Sequence, residues 1–248
     1  MLSKSQISFV KSLHTKKNRK ESGLFIVEGV KSVTEFIHSG YLIDTIFYTE
    51  KSELKLNILS QNVKLFEIKE DELRKISTLM APQHALALVK IPPDEVSATF
   101  ELPRDAFTLM LDNIQDPGNL GTIIRTADWF GFTQLICSLD TVEAYNPKVV
   151  QASMGSLSRM NIHYTDLHQL LKKSTLPIYG ALLDGESIHR VAFPKAGVLV
   201  LGNEGNGISD QVRQLINYPV TIPRYGSAES LNVAVSAAIF CTEIKKAL

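Results

Sequence analysis

The sequence predicts an α/β protein: a mostly parallel sheet with helices on both faces, preceded by a smaller α/β domain. Three observations carry this. The continuous apolar runs FTLMLDNI (107–114), PIYGALL (177–183) and GVLVLG (197–202) have the character of strands buried on both faces. Segments of strand-like and helix-like period alternate along the chain. The stretch IPPDEVSATFELPRD (91–105) interrupts that alternation, with Pro92, Pro93 and Pro103 removing backbone donors and fixing φ. The expected division is therefore residues 1–91, a linker at 92–105, and 106–248.

In the first part, LFIVEG (24–29) reads as a strand. A helix follows over 30–40, with Val30, Val33, Phe36 and Ile37 at helical spacing and Gly40 where a C-terminal cap belongs. IDTIFYT (43–49), VKLFEI (63–68) and HALALVKI (84–91) are strands by β-branched and aromatic content. SELKLNILSQ (52–61) is ambiguous, and KEDELRKIST (69–78) is helical with acids in its first turn. In the second part, a helix is expected from about Leu120 to Phe130, with Leu120, Ile123, Ile124, Ala127 and Phe130 as its apolar stripe. QLICSL (134–139) and MNIHYT (160–165) are strands, while Lys148–Leu157, LHQLLKKS (167–174) and Ile208–Ile216 are helical. VTIP (220–223) leads through a polar loop into a last helix, Leu231–Ala247. The front half of that helix is apolar on nearly every side, so burial all round is expected.

Composition is that of a folded globular chain, 44% hydrophobic and 21% charged, with no net charge. Zero net charge excludes a uniformly basic surface but allows patches. Residues 1–31 hold seven Lys and Arg against two Glu, a local excess that either binds a polyanion or is simply a solvated run. Cys137 and Cys241 lie in apolar stretches and read as buried free thiols of a reducing compartment. The N-terminus lacks an apolar signal core, and no window approaches the roughly 20 apolar residues of a membrane span. A cytoplasmic protein with no membrane partner is expected.

Three strand ends carry unusual polar loops: NIQDPGNLG, GNEGNGIS (202–209) and PRYGSAESLN. In a parallel sheet such loops share one rim, where ligands bind. Singly, each has a plain alternative. Asn119 could cap the following helix. Arg125 could pair with Asp128 for about 0.2–0.5 kcal/mol. Glu204 could be a turn residue, Ser230 an N-cap and Asn232 a first-turn residue. The glycines at 202, 205 and 207 do not match a dinucleotide fingerprint, and neither a phosphate loop, a nucleophile elbow nor a metal-spaced Cys/His set is present. Uncharged, glycine-rich loops suit an adenosine-like ligand held by backbone groups.

Taken in order, NIQDPGNLGTIIRTADWFGF, VLVLGNEGNGIS and IPRYGSAESLNVAVSAAI resemble the three signature motifs of the SpoU (TrmH-type) branch of SPOUT RNA methyltransferases. KSLHTKKNRKESGLFIVEG resembles the RNA substrate-binding domain, similar to ribosomal protein L30e, that many of these enzymes carry. The resemblance implies S-adenosyl-L-methionine-dependent methylation of a ribose 2′-hydroxyl in structured RNA, with 23S rRNA favoured over tRNA. A tRNA 2′-O-methyltransferase, a catalytically silent RNA-binding relative and a small-molecule enzyme are the alternatives. It also implies a C-terminal trefoil knot and a homodimer whose site is completed across the interface. By motif position the catalytic or substrate-positioning residues are Asn119, Arg125, Glu204, Ser230 and Asn232. The cofactor residues are Leu201, Gly202, Asn203, Gly205, Ile222, Pro223 and Leu231, and Lys16, Lys17, Arg19 and Lys20 are the RNA-binding set.

Overall fold

The structure is a computed structural model that describes residues 1–56, 62–93 and 102–246. The end of the ambiguous 52–61 segment, most of the expected linker and Ala247 lie outside the described residues. The chain forms two compact units, Met1–Val96 with Glu143–Arg159, and Ser97–Val142 with Met160–Leu248.

The first unit opens with α1 (Lys4–Ser12), started by a reciprocal cap. Gln6 N donates to Ser3 Oγ at 3.1 Å, and Ser3 N donates to Gln6 Oε1 at 2.9 Å. Then come α2 (Lys16–Ser22), β1 (Leu24–Glu28), α3 (Val30–Ile37), β2 (Ile43–Tyr48), β3 (Lys64–Glu67), α4 (Glu70–Ile76) and β4 (Ala85–Lys90). The strands form one sheet in the order β1-β4-β2-β3. β4 runs antiparallel to both neighbours, and β2 and β3 are parallel. The expected elements are all present. The cap at Gly40 is not: α3 ends at Ile37 with His38 in the capping position.

A departure from the expected division lies in Glu143–Arg159, which falls within 106–248 in sequence but belongs to the first unit. Three contacts explain it. Arg19 Nε donates to Glu143 Oε1 at 2.8 Å, Arg159 Nη1 donates to Glu35 Oε2 at 2.5 Å, and the Tyr145 ring lies 4.7 Å from that of Phe25. The helix expected over 148–157 is broken there. α6 covers Pro147–Ser153, Met154 and Gly155 take positive φ of 49° and 94°, and a 3-10 turn follows at Ser156–Arg159. Gly155 is required at that break, because a Cβ would come within 2.7 Å of Glu35.

The second unit contains β5 (Phe107–Asp112), α5 (Pro117–Trp129), β6 (Gln134–Ser138), β7 (Asn161–Thr165), α7 (Leu167–Lys172), β8 (Ile178–Ser187), β9 (Gly197–Gly202), α8 (Asp210–Arg213), β10 (Tyr218–Thr221) and α9 (Val233–Lys246). Its six strands are ordered β10-β8-β9-β5-β6-β7, and every neighbouring pair is parallel. Both faces are filled. Met110, Ile136, Val198 and Val200 pack with Leu167 and Leu171 of α7 and Val212 of α8. Leu109, Leu111, Leu135, Leu199 and Leu201 alternate with them, face the other way, and are equally buried. This is why the strands read as unbroken apolar runs.

α9 packs along α5 and touches β9. Its buried residues, Val233, Ala234, Ala237, Phe240, Cys241 and Ile244, recur at one helical face. The expected burial all round is not observed within a single chain: Val235 is half exposed, and Ala238 and Ile239 are only partly covered.

Candidate active site

Because the sheet is parallel, the loops after β5, β9 and β10 emerge at the same rim. The first loop turns at Asn113, whose φ of 58° is a conformation that asparagine tolerates better than most side chains. α5 then begins three residues earlier than its apolar stripe suggests. Asp116 is its N-cap and accepts from Asn119 N at 2.8 Å, with Pro117 in the first turn. Asn119 is thus not the cap. Its side chain is free for other work.

That side chain joins the three loops. Asn119 Nδ2 donates to Glu204 Oε1 in the second loop. Asn119 Oδ1 accepts from Asn232 Nδ2 at 2.9 Å in the third. Asn232 Oδ1 in turn accepts from Ala234 N at 2.9 Å and Val235 N at 3.3 Å, so Asn232 caps α9. The result is a directional chain from the amides of α9 through two asparagines to a carboxylate. Since backbone amides can only donate, Asn232 must accept through its oxygen, and both side-chain amides are oriented.

The second loop is built around Asn203. Its Oδ1 accepts from Gly205 N at 2.8 Å and Asn206 N at 3.1 Å, and its Nδ2 donates to the Asn113 carbonyl at 2.9 Å. Asn203 and Gly207 exchange backbone hydrogen bonds, both 2.9 Å. Gly202 permits this fold-back, because a Cβ would lie 2.3 Å from the Gly207 backbone. Two residues that the sequence reading passed over hold the loops together. Asp112, buried at the end of β5, accepts from Ser209 N at 2.8 Å, and the Asn113 carbonyl receives Asn203. A carboxylate closing an otherwise apolar run was the available signal for Asp112.

The third loop leaves β10, whose pairing with β8 shifts register between Pro219 and Val220. Pro219 has no N–H for the ladder. Gly185 of β8 lies so close that a Cβ would sit 2.6 Å from the Pro219 carbonyl carbon. A cavity of about 530 Å3 opens between the second and third loops and the end of β8. Such a volume is typical of small-molecule sites, which span about 300–1,000 Å3. Leu201, Gly202, Asn203, Gly205, Ile222, Pro223 and Leu231 all line it, as do Glu204 and Ser230. Phe240 and Val233 of α9 add apolar wall. Arg125 is exposed on α5, six positions beyond Asn119, about 9 Å of helical rise.

In the first unit, Lys16, Lys17 and Lys20 are exposed on α2. Arg19 corrects the expectation for the basic set. It is 2% exposed, its Nη1 donates to the Leu13 carbonyl at 2.8 Å, and it forms a two-point pair with Glu143. A buried guanidinium committed to a buried carbonyl and a partly buried carboxylate is not offered to a polyanion. Cys137 and Cys241 are buried and unpaired. Burial pushes the Cys241 thiol up to about 12 and raises Cys137 as well, so both stay protonated and inert. Among the described residues, no group of His, Cys, Asp and Glu could hold a metal, and no helix is long and apolar enough to cross a membrane.

The SpoU rRNA Methylase family matches residues 106–242, and the MRM3-like substrate binding domain matches residues 4–87. The chain is 30% identical over 239 residues to the 23S rRNA (guanosine(2553)-2′-O)-methyltransferase RlmP of Bacillus subtilis, covering 95% of this chain and 94% of the relative. A TrmH-family protein from Porphyromonas gingivalis superposes with a TM-score of 0.87 at 37% identity, covering 99% of each chain. The SpoU methyltransferase AviRb from Streptomyces viridochromogenes, solved with AdoMet, superposes with a TM-score of 0.86 at 26% identity, covering 98% of each. With more than half of its length matched by the family model and a relative aligned over nearly its full length, the chain belongs to the SpoU rRNA methylase family.

Proposed function

We propose that the chain is an S-adenosyl-L-methionine-dependent methyltransferase that methylates a ribose 2′-hydroxyl in structured RNA, with 23S rRNA as its substrate. The observation that carries the reading is the junction of three loops: Asn119, Glu204 and Asn232 hydrogen-bonded in one chain, with Glu204 and Ser230 in the wall of the cavity. The Bacillus subtilis relative, named for 2′-O-methylation of 23S rRNA, supports rRNA over tRNA.

The cavity fits S-adenosylmethionine. Leu201, Ile222 and Leu231 provide apolar contact for an adenosine moiety, while the folded-back loop at 202–207 brings backbone polar groups to the same wall. When bound, the cofactor supplies an activated methyl group on a sulfonium sulfur. The protein's task is then positioning and charge. Glu204 is exposed and, as a carboxylate, accepts only. With one oxygen engaged by Asn119 it retains acceptor sites for the 2′-hydroxyl proton. Ser230 offers a second hydrogen-bonding group in the same wall. Arg125 clamps an RNA phosphate or orients the hydroxyl. A charged guanidinium has donors and no acceptor, which disfavours a role as general base. Lys16, Lys17 and Lys20 present exposed charge for the RNA backbone.

We further propose that the enzyme is a cytoplasmic homodimer and that its C-terminal segment threads a trefoil knot. The partly exposed apolar side of α9, with Val235 and Ile239, supports burial against a second copy. The decisive experiment supplies methyl-labelled S-adenosylmethionine and 23S rRNA from a strain lacking the gene, then maps 2′-O-methyl sites in the deleted and complemented strains. Incorporation at a site lost on deletion is expected. No incorporation, with unchanged rRNA maps, overturns the reading.

A further inference from the structure

Tyr225 is 93% exposed, yet it lines the cavity together with Glu204 and Ser230. It sits in the loop between β10 and α9, where the neighbouring Arg224 braces the turn by donating Nη1 to the Ala228 carbonyl at 3.4 Å. Packing does not explain such a residue. A tyrosine that served the fold would bury its ring, whose area is among the largest a side chain can remove from water. The cavity wall behind it is already apolar, through Leu201, Ile222, Leu231 and Phe240. The ring is therefore an exposed part of the same cavity lining as Glu204 and Ser230. Unpaired bases in RNA are commonly recognised by stacking on aromatic faces, which tolerates any base because each has a π-face.

We propose that Tyr225 is the stacking platform for an RNA base beside the acceptor ribose, making it a substrate-positioning residue of this site. The proposal rests on the methyltransferase reading above. Stacking a base against Tyr225 anchors the nucleotide whose 2′-hydroxyl must enter the cavity. The loop is the element best placed to do this, since its far end, Asn232, is tied to Asn119 and through it to Glu204.

The test compares wild-type protein with Tyr225→Ala and Tyr225→Phe, using 23S rRNA from a strain lacking the gene. Stacking needs the ring and not the hydroxyl. Tyr225→Ala is expected to raise the KM for RNA on the order of tenfold or more, the usual scale of one lost base–aromatic stack. Its kcat at saturating RNA and its Kd for S-adenosylmethionine should remain within about twofold, and Tyr225→Phe should restore the RNA KM. An unchanged RNA KM in Tyr225→Ala overturns the proposal. So does a weakened cofactor Kd with normal RNA affinity, which would seat the ring on the cofactor, and so does a Phe variant as impaired as Ala. If the wild-type protein transfers no methyl group to this RNA, the methyltransferase reading fails by itself. Equilibrium RNA binding by the same three proteins then decides the stacking independently.

Discussion

Asn232 does two things at once, and single substitutions can separate them. Its oxygen caps α9 by accepting from Ala234 N and Val235 N, while its amide nitrogen donates to Asn119. Asn232→Asp keeps an acceptor for the cap but has no donor for Asn119. It is expected to hold the melting temperature near wild type while methyl transfer falls steeply. Asn232→Ala loses both, adding about 1 kcal/mol of destabilisation from the missing cap. Equal thermal losses in the two variants would contradict this division. Arg125→Lys addresses the second open role. A clamp loses its two-pronged geometry, so RNA binding should weaken and the rate at saturating RNA should fall, with the pH–rate profile unmoved. A near-normal rate with a profile shifted toward the lower lysine pKa would make residue 125 a base. The residues themselves were readable: Asn119, Glu204 and Asn232 stood out as polar groups in loops at strand ends. Their mutual bonding was not, because it joins positions 85 and 113 apart in the chain.

At the level of elements, the clearest lesson comes from Arg19. In the sequence it belongs to a run of cations, KKNR followed by Lys20, and nothing local distinguishes it from its neighbours. A helix turns successive residues by about 100°, so α2 exposes Lys16, Lys17 and Lys20 while pointing Arg19 inward. There it meets Glu143, a partner 124 residues away. Arg19→Ala leaves a partly buried carboxylate and a buried carbonyl without their donor and is expected to cost about 1–3 kcal/mol. Chemical denaturation would detect that loss in the first unit. Lys17→Ala should leave stability within about 0.5 kcal/mol, because its contact with Glu21 is an exposed 3.9 Å pair. If both variants reduced only RNA binding and neither changed stability, Arg19 would be surface-active after all. α6 shows a related limit. Helical period is expected as far as Leu157, but α6 ends at Ser153 and the chain turns at Met154 and Gly155, where Glu35 leaves no room for a Cβ.

For the whole molecule, α9 decides most. The helix fills one side of the second unit through Ala237, Phe240, Cys241 and Ile244, and Val233 and Phe240 also line the cavity. Truncation before Val235 is therefore expected to abolish cofactor binding and dimerisation together. Calorimetry with S-adenosylmethionine and sedimentation of the truncated chain would check both. A truncated protein that binds the cofactor as a dimer would refute the threaded, dimer-forming role proposed for this segment.

Strand and helix order, the buried parallel sheet and the three rim loops could be read from residues alone. Each depends on local period and composition, and burial on both faces leaves an uninterrupted apolar run such as FTLMLD. The tertiary structure decided what local pattern cannot encode. It returned Glu143–Arg159 to the first unit, turned Arg19 inward, and left one side of α9 partly exposed. It also recruited Asp112 to tie down the second loop. Each of these outcomes depends on a partner distant in the chain, and period in sequence carries no information about which distant group will satisfy a charge or cover a face.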